Sequence, residues 1–272
     1  MKNTLFLFGI LLLLASCRKT DFKIQNLNGN KISAFGHGGM GIGSIYPMNS
    51  QESILNCLNL GVAGTEIDVQ MTSDGVLVAF HDESLDSRTN SSGKLYTKTW
   101  SEIEGAKYST PIYGDYKVMR LDDLFENIPN INQYIYILDI KLFNPKMDSV
   151  FNNNFNEKLL SILDQFDLNE NVYVESKNEN YIQSLRALNP EIKQFIYADF
   201  DFALSLATQY NLMGVTLSYD ELTEDRVELL HKEGLMVSTF NTHSKKRNIK
   251  AIELNVDIIQ SDRVKHLIEI LE

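Results

Sequence analysis

The feature that most constrains this chain is a regular alternation, from Tyr134 to Leu271, of short β-type runs with amphipathic helical stretches. Strand patterns occur at Tyr134–Lys141, Asn171–Glu175, Lys193–Ala198, Gly214–Ser218, Leu235–Phe240 and Val256–Gln260. Between and after them the apolar spacing switches to the helical period. Those stretches are about Asp148–Phe166, Glu179–Leu188, Phe202–Tyr210, Glu224–Lys232, Lys246–Leu254 and Val264–Leu271. Strands and helices in this rhythm predict a parallel sheet.

The first half adds three strands and one anomaly. Lys31–His37 is an apolar strand running into Gly38-Gly39, and a helix follows, capped at Asn49-Ser50, with Ile54, Leu55, Leu58 and Leu60 on its apolar side. Next, read at period 2, Glu66, Asp68 and Gln70 share one strand face and Ile67, Val69 and Met71 the other. Thr72–Gly75 is a turn, and Val76–Phe80 is a second strand ending at His81-Asp82. That turn is too short for a crossover helix, so the two strands form an antiparallel hairpin with Glu66 roughly opposite His81. The count is about nine strands, one more than a (β/α)8 barrel needs, and the hairpin supplies the surplus. The predicted fold is α/β: a (β/α)8 barrel with a hairpin inserted at the second strand. Glu83–Met119 reads as a loop excursion over one end, with Trp100 placed to close over the site. Leu121–Ile128 is a short helix.

With 272 residues, 43% hydrophobic and 22% charged, the chain is long enough for one sizeable core. A net charge of −11 argues against a nucleic-acid surface and suits a cation site. Nothing in the sequence calls for a protein partner. Met1-Lys2-Asn3 followed by the apolar run Leu5–Leu14 is a targeting signal, too short to span a membrane stably. Leu14-Ala15-Ser16-Cys17 resembles the lipobox of bacterial lipoproteins, in which the cysteine carries the lipid anchor. A plain secretory signal with an incidental cysteine is the alternative. The predicted organisation is a signal over 1–17, a tether over 18–30 and a barrel over 31–272. The predicted location is an exported, membrane-anchored lipoprotein on the periplasmic or outer-membrane face of a bacterial envelope. Cys57, in a helical apolar pattern, reads as a buried small hydrophobe.

Glu66 and Asp68 projecting together from a buried strand are costly unless paired or bound to a metal, and a hard divalent cation supplies the partner. The plainer alternative is the wet face of an exposed hairpin. His37 and His81, both at strand ends, add the parts of metal-assisted acid–base chemistry.

Taken together these residues resemble the glycerophosphodiester phosphodiesterase family, a TIM-barrel group, over about Ile32 to Leu271. The family's His-Arg-Gly matches His37-Gly38-Gly39, and its Pro-Glu-Asn-Thr matches Pro47-Met48-Asn49-Ser50. Glu66 to Gln70, Asp74-Gly75 and Phe80-His81-Asp82 stand as in the family, and Asp139-Ile140-Lys141 matches Glu-Ile-Lys. Ser238 to Asn241 and Ser261 to Val264 resemble its two closing motifs. The resemblance implies His37 and His81 as the general acid–base pair, Glu66, Asp68 and Asp139 as ligands of Ca2+ or Mg2+, and Lys141 as the phosphate contact. The substrate implied is a small-molecule glycerophosphodiester or a related lipid-derived diester.

Three positions depart from the pattern. The phosphate-binding arginine is Gly38, the motif glutamate is Met48, and the third metal ligand is the shorter Asp139. Arg120, Arg88 and Lys117 are candidates to replace the arginine, and Glu52 the glutamate. Glu175 ends a strand on the active side, as a further ligand or a partner of Lys177. His231, His243 and His266 read as surface residues, although His243 and Asn241 follow a strand end. Phe240 is placed to pack on substrate or in the core. A glycosidase using Glu66 and Asp68 is disfavoured, because i and i+2 on one strand flank a glycosidic bond poorly and both histidines stay idle. A catalytically inactive barrel lipoprotein that binds a phosphorylated ligand is the alternative from another class.

Overall fold

The computed structural model describes residues 32–109, 115–146 and 148–271. The expected signal, Cys17 and the tether Arg18–Asn30 lie outside the described residues. The strands are β1 (Ser33–Gly36), β2 (Gly64–Met71), β3 (Leu77–Ala79), β4 (Met119–Arg120) and β5 (Ile135–Ile140). They continue with β6 (Val172–Ser176), β7 (Lys193–Tyr197), β8 (Gly214–Ser218), β9 (Met236–Thr242) and β10 (Ile258–Ser261). Helices α1 (Gln51–Leu58), α2 (Trp100–Ile103) and α3 (Leu121–Glu126) fall in the first half. The crossover helices are α4 (Ser149–Gln165), α5 (Glu179–Leu188), α6 (Phe200–Gln209), α7 (Glu224–Lys232) and α8 (Lys245–Glu253), and α9 (Val264–Leu271) closes the chain. Among the described residues no helix is long and apolar enough to cross a membrane.

Eight parallel strands, β1-β2-β5-β6-β7-β8-β9-β10, close on themselves: β10 pairs with β1 through Gly36↔Ser261, and β1 with β2 through Gly36↔Thr65. The (β/α)8 barrel expected from the alternation is therefore the fold. Beyond Thr65, the same edge of β2 is free for the hairpin, and β3 pairs with it antiparallel at Val69↔Ala79. In that register Phe80 donates its N–H to the Asp68 carbonyl at 3.0 Å. His81 therefore falls one position short of the place opposite Glu66 that the sequence suggested. The short β4 extends the hairpin through Val78↔Arg120, making ten strands where nine were expected.

Every residue of β2 is buried, which excludes an exposed hairpin face for Glu66 and Asp68. Ile67, Val69 and Met71 pack outward against Ile54, Leu58 and Leu121 from the helix layer, together with the free, fully buried Cys57. The alternate residues Glu66, Asp68 and Gln70 consequently face the barrel interior. The excursion after His81 folds over its own small core of Phe80, Leu85, Leu95, Ile103, Tyr108 and Tyr116. Trp100 packs against that core and donates its N–H to Asp74 at 3.0 Å. It does not line the pocket described below, so it is no lid for it.

Candidate active site

Strand register sets the acids side by side. Asp68 on β2 pairs with Asp139 on β5, and Asp139 pairs with Glu175 on β6, so three carboxylates occupy one level of three adjacent strands. Glu66 lies one alternation below Asp68 on the same inward face. Oxygens of Glu66, Asp68 and Asp139 lie within 4.8 Å of one another, and all three residues are buried. Such crowding of like charges is unfavourable without a counter-ion.

Each acid is held differently. Glu66 Oε2 accepts the Gly38 N–H at 2.7 Å, while the buried Oε1 has no partner. Burial, together with the charges of Asp68 and Asp139, pushes the Glu66 carboxyl well above the usual range. Asp68 is clamped by Asn49, whose Nδ2 donates to Oδ2 at 2.6 Å and whose Oδ1 accepts the Asp68 N–H at 2.9 Å. Burial opposes ionisation of Asp68, but Lys141 and His81 outweigh it and hold the group down at about 2. Lys141 Nζ sits 3.0 Å from Asp68 and also bonds Asp139. Burial works against its charge, yet those carboxylates raise its pKa far above the ordinary lysine value.

The histidines stand at the rim of the acidic level. His37, next after β1, has Nδ1 3.1 Å from Asp262 Oδ1, and the other oxygen of Asp262 binds His243. Burial pulls His37 down, but the bond and charge of Asp262, with the charge of Asp68, leave its pKa raised. His81 Nδ1 lies 2.7 Å from Asp82 Oδ1, and Asp82 also accepts Ser87 Oγ at 2.7 Å and Arg88 Nε at 3.0 Å. Gln70 Nε2 donates to the carbonyls of Phe80 and Asp82 at 2.7 and 2.9 Å, which fixes the backbone that carries His81. An aspartate at Nδ1 favours the Nδ1–H tautomer and leaves Nε2 of each ring as its unprotonated nitrogen. Both rings, Glu66, Asp139 and Lys141 line one pocket of about 460 Å³. All six sequence-predicted site residues are thus brought together.

Some expectations change. Glu175 does not pair with Lys177; it accepts Thr216 Oγ1 and Gln260 Nε2, and burial beside Asp139 raises it to about 7. Of the three candidates to replace the arginine, Arg88 lines the pocket but holds Asp82, while Arg120 pairs with Asp122 and, like Lys117, lies off the pocket wall. Glu52 is also off it. A Cβ on Gly38, whose φ is +54°, would lie 2.7 Å from Met48 Cε, so Met48 fills the space a larger residue would need. His243 is exposed as expected, although it reaches Asp262, whereas His231 is largely covered, with Nε2 2.9 Å from the buried Asp257. The roles of Asn49, Asp82 and Asp262 were not assigned from the sequence. The Asn49 and Asp262 motif matches were the available signal.

Comparison with known proteins places the chain in a family. A model of the glycerophosphoryl diester phosphodiesterase family matches residues 40–266. A glycerophosphodiester phosphodiesterase of Caldanaerobacter subterraneus is 25% identical over 231 residues, covering 83% of this chain and 92% of that one. One from Bacillus altitudinis is 24% identical over 240 residues, covering 84% and 94%. Among solved structures, a putative glycerophosphoryl diester phosphodiesterase from Silicibacter pomeroyi superposes with a TM-score of 0.79 at 20% identity, over 89% of this chain and 93% of that one. An Oleispira antarctica phosphodiesterase, solved in complex with the product sn-glycerol-3-phosphate, gives 0.77 at 20% identity, over 88% and 96%. Barrel, pocket and relatives together define a phosphoric diester hydrolase. Within that class the chain belongs to the glycerophosphoryl diester phosphodiesterase family.

Proposed function

We propose that the protein hydrolyses glycerophosphodiesters, or a related lipid-derived diester, to glycerol phosphate and an alcohol by metal-dependent His/His acid–base catalysis. The observation that carries this reading is the pair of histidines, each backed by an aspartate at Nδ1, on one pocket above a buried acidic triad. The triad fits a hard cation, since three carboxylates converge and Glu66 Oε1 is a buried acceptor with no partner. Glu66, Asp68 and Asp139 would hold Ca2+ or Mg2+, which when bound neutralises charge on the phosphoryl oxygens. One histidine takes the proton from the attacking hydroxyl and the other returns one to the leaving alkoxide, and water supplies the oxygen and proton that net hydrolysis consumes. Lys141 has three N–H donors; two face Asp68 and Asp139, and the third is left for a phosphate oxygen. Phe240, 6.1 Å from the His37 ring, supplies an apolar wall beside the reacting group.

The proposed setting is the bacterial envelope, with the chain anchored through a lipid on Cys17; a Cys17→Ser variant that stays membrane-bound contradicts this. For the activity, 31P NMR of glycerophosphoglycerol incubated with the full chain should show glycerol phosphate accumulating, and EDTA should stop it. Metal binding without turnover of any diester would instead support a phosphate-binding barrel.

A further inference from the structure

Three lysine or arginine side chains line the active pocket among the described residues: Arg88, Lys141 and Lys177. Arg88 is committed to Asp82, and Lys141 to Asp68 and Asp139. Lys177 has no carboxylate partner among the described residues. It follows directly on β6, exposed at the mouth, with Nζ 4.1 Å from the centre of the Tyr197 ring. Tyr197 meets Phe240 edge-on at 4.8 Å, and Phe240 reaches His37. An aromatic wall thus runs from His37 to the one lining cation that, among the described residues, has no carboxylate partner.

The wall has a consequence for the substrate's outer end. A bare tyrosine face attracts a quaternary ammonium. Here that face is already covered by an ammonium, which repels a second cation and offers N–H donors to an anion. We infer that Lys177 selects diesters whose outer end carries a further negative charge, such as a second phosphodiester, over those with choline or ethanolamine head groups. This rests on the phosphodiesterase reading above and adds the charge class of the substrate to it.

The test compares kcat/KM of the full chain for bis(glycerophospho)glycerol, glycerophosphoglycerol and glycerophosphocholine at low salt. The expected order is that one, with the first favoured over the last by about tenfold, and with the gap narrowing as salt is added. Lys177→Met should remove the gap, raising KM for bis(glycerophospho)glycerol and lowering it for glycerophosphocholine, while leaving glycerophosphoglycerol unchanged; Lys177→Arg should keep the gap, and Lys177→Glu should reverse it. Because Lys177 is exposed, these variants fold, which an unchanged Tm confirms. A wild-type preference for glycerophosphocholine, or a Lys177→Met effect equal on all three diesters, overturns the inference while leaving the hydrolase reading standing. Cleavage of none of the three overturns both.

Discussion

Asp262 and His37 are 225 residues apart in the chain and 3.1 Å apart in the fold. Closure of the barrel brings them together, since β1 and β10 are neighbours with Gly36 paired to Ser261. Asp262→Asn keeps the shape but removes the acceptor charge that orients His37. We expect kcat to fall about a hundredfold, with KM little changed and thermal stability within a few degrees of wild type.

The same contact fixes a pH dependence. His37 is raised above about 6.5, the ordinary histidine value, despite its burial. Under the proposed acid–base mechanism, the limb of the rate profile that His37 governs should lie above that value and move down in Asp262→Asn. In stability, the raised His37 contributes a term fully present below about pH 6.5 and lost as pH rises through its raised value. Titrating Tm of wild type and Asp262→Asn across that window measures it.

Glu66 should couple metal binding to proton release. Its carboxyl is pushed well up by burial and by Asp68 and Asp139, so a proton competes with a cation for it. Calorimetry in two buffers of different ionisation enthalpy should show protons released, and affinity should weaken as pH falls. Saturating Ca2+ or Mg2+, at about a hundred times Kd, should stabilise the wild type by about 2.7 kcal/mol. Glu66→Gln should lose most of that gain and be no less stable than wild type without metal.

Asn49 adopts φ +65° and is wholly buried in order to bond Asp68 from both sides. Asn49→Ala leaves the Asp68 N–H and one carboxylate oxygen without those bonds. The expected cost is about 2 kcal/mol in stability and about tenfold or more in metal affinity, read by urea unfolding and by metal titration.

Arginine cannot simply be restored after His37. Gly38→Arg meets both the positive φ and Met48, whose Cβ would be 2.8 Å from the new Cβ. We expect a loss of about 1–3 kcal/mol and no gain in kcat/KM. Met48→Ala should relieve it only in part, because the alanine keeps that Cβ.

The sequence was most legible where chemistry follows local period. Alternation put Glu66 and Asp68 on the inner face of β2, and the βα rhythm after Tyr134 predicted the barrel. Asp139 could be placed near the end of a strand pattern, its ligand role coming from the family resemblance, and Cys57 because it sits in an apolar helical pattern. What stayed hidden depends on contacts between distant segments. The Asp257–His231 pair joins α7 to the segment before β10, so His231 read as an ordinary surface residue, and the Asp262 partner of His37 was not assigned because it forms only across the closing strands. Asn49 looked like a helix cap, but Ser50 caps α1 and Asn49 turns inward to Asp68. The missing arginine was visible at Gly38, yet Lys177, which has no carboxylate partner among the described residues, follows a strand farther round the barrel.

The most direct test of the account is glycerophosphoglycerol hydrolysis by wild type, His37→Ala and His81→Ala, each assayed with Mg2+ or Ca2+ and with EDTA. Metal-dependent turnover by the wild type, reduced at least a hundredfold in each variant with metal binding retained, is the predicted result. Full activity in either histidine variant, or full wild-type activity in EDTA, would contradict it.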